Sequence, residues 1–136
     1  MIETALVLPP LLALSIGSFE MSRIIARQAD LQKAANEASD IVRAALPDTE
    51  SKRATIKSVI MSSTGLTSDK VTIGLVYRCS TAGNYSDNQN SCGSGGSTNA
   101  TVYIKLVMTD SYTPIWQNYG MGSRMNYSVT RYVQIG

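Results

Sequence analysis

Histidine is absent from this 136-residue chain, and cysteine occurs only twice. Without imidazole there is no Ser-His-Asp or Cys-His arrangement, no usual zinc ligand set and no general base of the commonest kind. An enzyme would have to work through carboxylates alone, and no constellation of them stands out. The chain therefore reads as a non-enzyme with no cofactor and no metal site. Charge is scarce as well: 16% of residues are charged, and the formal net charge is +2. Basic residues such as Arg23, Arg27, Lys33, Arg43, Lys52, Arg53 and Lys57 are scattered rather than gathered into a patch, so no nucleic-acid partner is expected. Ser, Thr, Asn and Gln supply the polarity, especially in the second half, which is compatible with an extracellular surface.

The two cysteines, Cys79 and Cys92, bracket twelve residues that are small or polar apart from Tyr85. A metal site would need two further ligands, and none is offered at useful spacing. A disulfide closing a surface loop is the better reading, against two unpaired thiols close in sequence, and it implies an oxidising compartment. The "GSGG" at 93–96 lacks the Lys-Ser or Lys-Thr that a phosphate loop requires and opens no helix, so it reads as a hairpin tip. "DNQNS" at 87–91 lacks the acidic positions of a calcium loop and reads as turn chemistry. Asn84, Asn99 and Asn126 stand in N-x-S/T triplets, which matter only in a host with the matching transferase.

What the chain does have is an oily beginning, "MIETALVLPPLLALSIGSFEMSR". Sixteen positions between Glu3 and Glu20 carry no charge. As a helix they would span roughly 24 Å, slightly short of a hydrocarbon core. A membrane span, a signal-peptide core and a buried helix all fit such a run. The signal-peptide reading suffers from the lack of a preceding basic region and from a poorly placed small-residue site at "ALS". A cleaved basic leader upstream of Met1 would account for the abrupt start, and the chain is expected to be a mature form. Pro9 and Pro10 would free the carbonyls of Ala5 and Leu6, so a kink or a locally unwound turn is expected around residues 5 to 10. Glu3, at the tip of the run, is costly in lipid unless solvated at the headgroups or paired with a positive group of another chain.

From Ile24 onward the apolar residues take helical spacing: Leu31, Ala34, Ala35, Ala38, Ile41, Val42 and Ala45. No breaker separates them from the oily run, so one helix is expected to continue to residue 46, where Pro47 ends it. Asp48 is placed to cap a second helix at about 49–63, with Ile56, Val59, Ile60 and Ser63 on one face and Gly65 as its stop. Alternation in "KVTIGLVYRC", "ATVYIKLVMT" and "RMNYSVTRYVQIG" predicts strands of an antiparallel sheet within about 70–135. Tyr112, Trp116 and Tyr119 cluster in "SYTPIWQNYG", either as a surface contact for a partner or as aromatics that pack the loop onto the sheet.

"IETALVLPPLLALSIGSFEMSRIIARQADLQKAANEASDIVRAAL" resembles the N-terminal segment of TadE-like pilins and pseudopilins, of the tight-adherence (Tad, or Flp) branch of type IV pili. The shared elements are Glu3, the stretch Ala5 to Pro9 with further leucines, Gly17, Glu20, and Arg23 with Arg27. The C-terminal strands, with Arg131 near their end, are similar too. The resemblance implies an α+β, type IV pilin-like fold: a long N-terminal helix plus a short helix on an antiparallel sheet of three to four strands. Residues 1–23 would be the membrane and filament-core segment, and 24–136 the globular domain. It implies a prepilin peptidase, an assembly machine, the inner membrane before assembly, and copies of the same chain in an extracellular filament with roles in surface adhesion. Glu3 would register incoming subunits, while Leu6, Leu8, Pro9, Pro10, Leu11, Leu12 and Gly17 would lie in the filament core. Glu3 stands two residues in from the start, whereas type IV pilins usually hold that acid four residues in. A membrane-anchored minor pilin or pseudopilin assembly factor, and an anchored adhesin, are the competing expectations.

Overall fold

Alanine-rich sequence with no interior glycine except Gly17 favours one long helix, and α1 runs from Ile2 to Ala45. The structure, a computed structural model, describes the backbone of residues 2–79, 83–92 and 100–136, with side chains from Thr4 onward in those spans. The helix passes Pro9 and Pro10 without interruption. The unwound turn expected there is absent. Pro9 and Pro10 lack the N–H groups that would bond the carbonyls of Ala5 and Leu6, but the neighbouring turns hold the helical path.

The helix stops where Leu46 enters the left-handed region at φ 43°. Its N–H still bonds the Val42 carbonyl at 3.0 Å, and Pro47 behind it is fully buried. The second helix, α2 (Glu50–Thr64), is capped by Thr49, whose side chain accepts from the Lys52 N–H. Asp48, the expected cap, sits one residue too early. Its carboxylate accepts from the Thr49 N–H at 2.9 Å and pairs with Lys52 at 2.7 Å. Gly65 ends α2 at φ 69°, its N–H bonded to the Met61 carbonyl, as its spacing predicts. Of the expected face, Ile56 and Ile60 are buried, but Val59 and Ser63 are exposed. The inward stripe is carried instead by the four-residue spacing of 56 and 60.

Four strands make one antiparallel sheet: β1 (Val71–Cys79), β2 (Tyr85–Ser86), β3 (Ala100–Tyr112) and β4 (Met125–Gln134), in the order β2-β1-β3-β4. The β1–β3 ladder runs from Val71 opposite Met108 to Cys79 opposite Ala100. The long helix, short helix and four-stranded sheet match the α+β architecture expected of a pilin-like chain.

The chain forms two compact units, Met1–Asp30 with Ser111–Tyr127, and Leu31–Asp110 with Ser128–Gly136. In the second unit Leu31, Ala35, Ala38 and Val42 of α1 are buried together with Ile56, Ile60, Val71, Ile104, Leu106, Met108, Val129 and Val133. Spacing of three and four residues on the helix and two on the strands produces that core. Lys70, just before β1, holds Asp110 at 2.6 Å in a partly buried pair. In the first unit Ile24, Tyr112 and Pro114 are buried, and so is Glu20.

Candidate functional site

α1 includes a stretch long and apolar enough to cross a membrane, only 6% of which is buried within the chain. Leu6, Leu8, Leu11 and Leu12 are each more than half exposed. The two serines between Glu3 and Glu20 are not left to solvent: Ser15 donates to the Leu11 carbonyl at 2.9 Å and Ser18 to that of Leu14 at 2.8 Å. Such back-bonding lets serine sit in an apolar environment at little cost. Ala13, Leu14, Gly17, Ser18, Met21 and Ile25 border an open, mostly apolar groove of about 650 Å³. A methyl group added at Gly17 would meet nothing within 4 Å. Among the described residues no close contact requires glycine there. Glu3 lies in the first turn of α1, but its side chain is outside the described residues.

Where the oily run ends, an acid is buried. Glu20 is fully enclosed, and its Oε2 accepts a hydrogen bond from the Tyr112 hydroxyl at 2.9 Å. Its Oε1 has no hydrogen-bond partner among the described residues. Arg23 and Arg27 lie over the Tyr112 ring, with guanidinium carbons 5.9 and 5.7 Å from its centroid, and Arg23 also covers Phe19 at 5.8 Å. Burial pushes the Tyr112 phenol above its ordinary range, the bond to Glu20 adds to this, and the two arginines oppose it. A neutral phenol is what the bond needs, because it must donate. Tyr112 is thus not a surface contact: it ends β3 and packs inward. The loop that follows is fastened by it.

That loop carries the other two aromatics. A short 3₁₀ turn, Ile115–Tyr119, follows Pro114 and ends at Gly120 with φ 75°. Trp116 is half-buried and lies against Gly122, where a Cβ would come within 3.0 Å of its Nε1. Tyr119 is 76% exposed. The sequence groups these three residues; the structure separates Tyr112 from Trp116 and Tyr119 by burial.

A third feature was not anticipated at all. Tyr85 stacks on Tyr132 with centroids 4.0 Å apart and meets Tyr103 edge-on at 5.3 Å. All three lie on the sheet face opposite Ile104 and Val133. Val76, which pairs with Tyr103 and lies on the same face, is 2% exposed. Arg78, opposite Tyr85 in the β1–β2 ladder, places its guanidinium 5.9 Å from that ring. Cys79 and Cys92 form the expected disulfide, with Cα atoms 5.2 Å apart, and tie β1 to the 3₁₀ turn Gln89–Cys92 beside β2. The bridge anchors the segment that delivers Tyr85. Asn99 and the "GSGG" tip lie outside the described residues.

Arg131 was read only as a family feature. It falls on the helix-facing side of β4, between Val129 and Val133, and donates to Asn36 Oδ1 of α1 from Nε at 3.4 Å and Nη2 at 3.3 Å. Among the described residues no group of three or more His, Cys, Asp or Glu is placed to hold a metal ion.

Comparison with known proteins adds one match. The family described as TadE-like protein matches residues 1–40, which hold the apolar run, Glu20 and both arginines. No curated protein and no solved structure matches the chain.

Proposed function

We propose that this chain is a structural subunit of a Tad-like type IV pilus filament. It would be held in the inner membrane by residues 1–23 before assembly and packed through the same segment, helix on helix, once assembled. Residues 24–136 would form the globular domain facing outward, with Trp116 and Tyr119 available for surface contact. The observation that carries this reading is the uncovered apolar half of α1, within the region of the TadE-like match. Lipid tails are as apolar as leucine, so moving Leu6, Leu8, Pro9, Pro10, Leu11 and Leu12 from bilayer to filament gains little hydrophobic energy. Close packing and satisfaction of Glu3 would have to drive the transfer, with Gly17 allowing neighbouring helices to approach. A prepilin peptidase and an assembly machine are the further partners this reading calls for.

A membrane-anchored minor pilin or pseudopilin shares the same match, and one experiment separates the two. Filaments sheared from cells are imaged by electron microscopy, and their protein is identified by intact mass. Filaments made mainly of this chain, with the cystine intact, are expected. Retention of the chain in the membrane fraction, or a trace in filaments of another protein, would leave the assembly-factor account.

A further inference from the structure

We infer that the loop 113–124 is a second membrane-contacting element, resting in the headgroup layer of an anionic bilayer while α1 spans it. The inference rests on the reading of α1 as a membrane helix and extends it to a part of the chain far away in sequence. Its geometry lies within one compact unit, Met1–Asp30 with Ser111–Tyr127. The uncharged stretch from Thr4 to Phe19 spans roughly 24 Å as a helix, so its end falls near the edge of a hydrocarbon core about 30 Å thick. Glu20 marks that level, and the Tyr112 hydroxyl is bonded to Glu20 at 2.9 Å. The loop that starts at Tyr112 is therefore anchored at the height where acyl chains give way to headgroups.

Its composition fits that depth. Ile115 is 45%, Tyr119 76% and Met121 62% exposed, and nothing in this unit covers them. Trp116 and Tyr119 are the side chains that favour the membrane interface, with an apolar ring body and a polar tip. The stretch 111–127 has no acidic residue and carries Arg124, while Arg23 and Arg27 stand one and two turns beyond Glu20. Apolar groups flanked by cations are what an anionic headgroup layer attracts.

Trp116 is the only tryptophan in the chain, so its emission reports on this loop alone. The full chain is reconstituted into phosphatidylcholine vesicles with and without phosphatidylglycerol. Some of the lipids are brominated either near the headgroup or deep in the tails. The expected result is blue-shifted Trp116 emission, quenched by about half by shallow bromines and less by deep ones, and more strongly with phosphatidylglycerol present. Tyr119→Ser with Met121→Ser should weaken the quenching while vesicle flotation of the chain is unchanged. If the chain floats with vesicles yet Trp116 is quenched only from the water side, the loop contact is overturned and the helical anchor stands. If Trp116 shielding rises only with the density of chains in the bilayer, the loop meets a second copy, and lipid is overturned as its occupant. Failure of the chain to float would remove the anchor and this inference together.

Discussion

Two residues show how local chemistry sets larger features. Leu46 holds φ 43°, a conformation that costs a residue with a Cβ about 1 kcal/mol, and its side chain is half exposed. Leu46→Gly should therefore raise stability by up to about 1 kcal/mol, less the entropy glycine adds to the unfolded chain, as read from urea unfolding. Tyr112 is the second case. Its phenol is raised above 10.0, so the stabilisation from its bond to Glu20 is fully present below that pH and is lost as pH rises through the raised value. Alkaline titration followed by tyrosinate absorbance should show one of the seven tyrosines ionising late, with faster hydrogen exchange in 113–124 at the same pH. Tyr112→Phe should remove the late step and loosen the loop already at neutral pH. A titration unchanged by that substitution would contradict the assignment.

At the scale of elements, much was legible and the remainder was hidden for definite reasons. The apolar run, the helical spacing of Leu31 to Val42, Gly65 as a stop and strand alternation each rest on short-range chemistry, so the sequence displays them. The Cys79–Cys92 bridge follows the same logic. In the sequence Glu20 stands out as the charge that ends the oily run and as an acid shared with TadE-like pilins, not as a buried residue. Yet it stands four residues before Ile24, on the buried stripe, and that spacing was the available sign of its burial. Its partner Tyr112 is 92 residues away, and no local pattern reports such a pairing. The Tyr85, Tyr103 and Tyr132 cluster was invisible because its members come from three strands and sit on the face that alternation assigns to solvent. Thr49 displaced Asp48 as the cap by a single residue, a difference that composition cannot resolve. Replacing Cys79 and Cys92 together by serine should cost about 3 kcal/mol by the loop-entropy argument. It should also raise acrylamide access to Tyr85, because the bridge holds the segment that brings this ring onto Tyr132.

For the whole molecule the question is what covers α1 before and after assembly. Gly17 separates folding from assembly. A Cβ at Gly17 meets nothing within 4 Å among the described residues and the groove beside it is open, so Gly17→Leu should leave the fold intact and favour the helix by about 0.5–1 kcal/mol. If neighbouring helices approach through the groove beside Gly17, the same substitution should abolish filaments while the chain accumulates, folded, in the membrane. Loss of the folded chain would point instead to a structural need for glycine inside the subunit. Normal filaments would rule out close helix approach at this position.

The most direct test of the central claim is cryo-electron microscopy of filaments sheared from cells that express this chain. The account predicts a core in which residues 4–25 of neighbouring copies pack against one another, with the cystine-bearing sheet outside. A core built by a different protein, with this chain absent or confined to the filament tip, would contradict it.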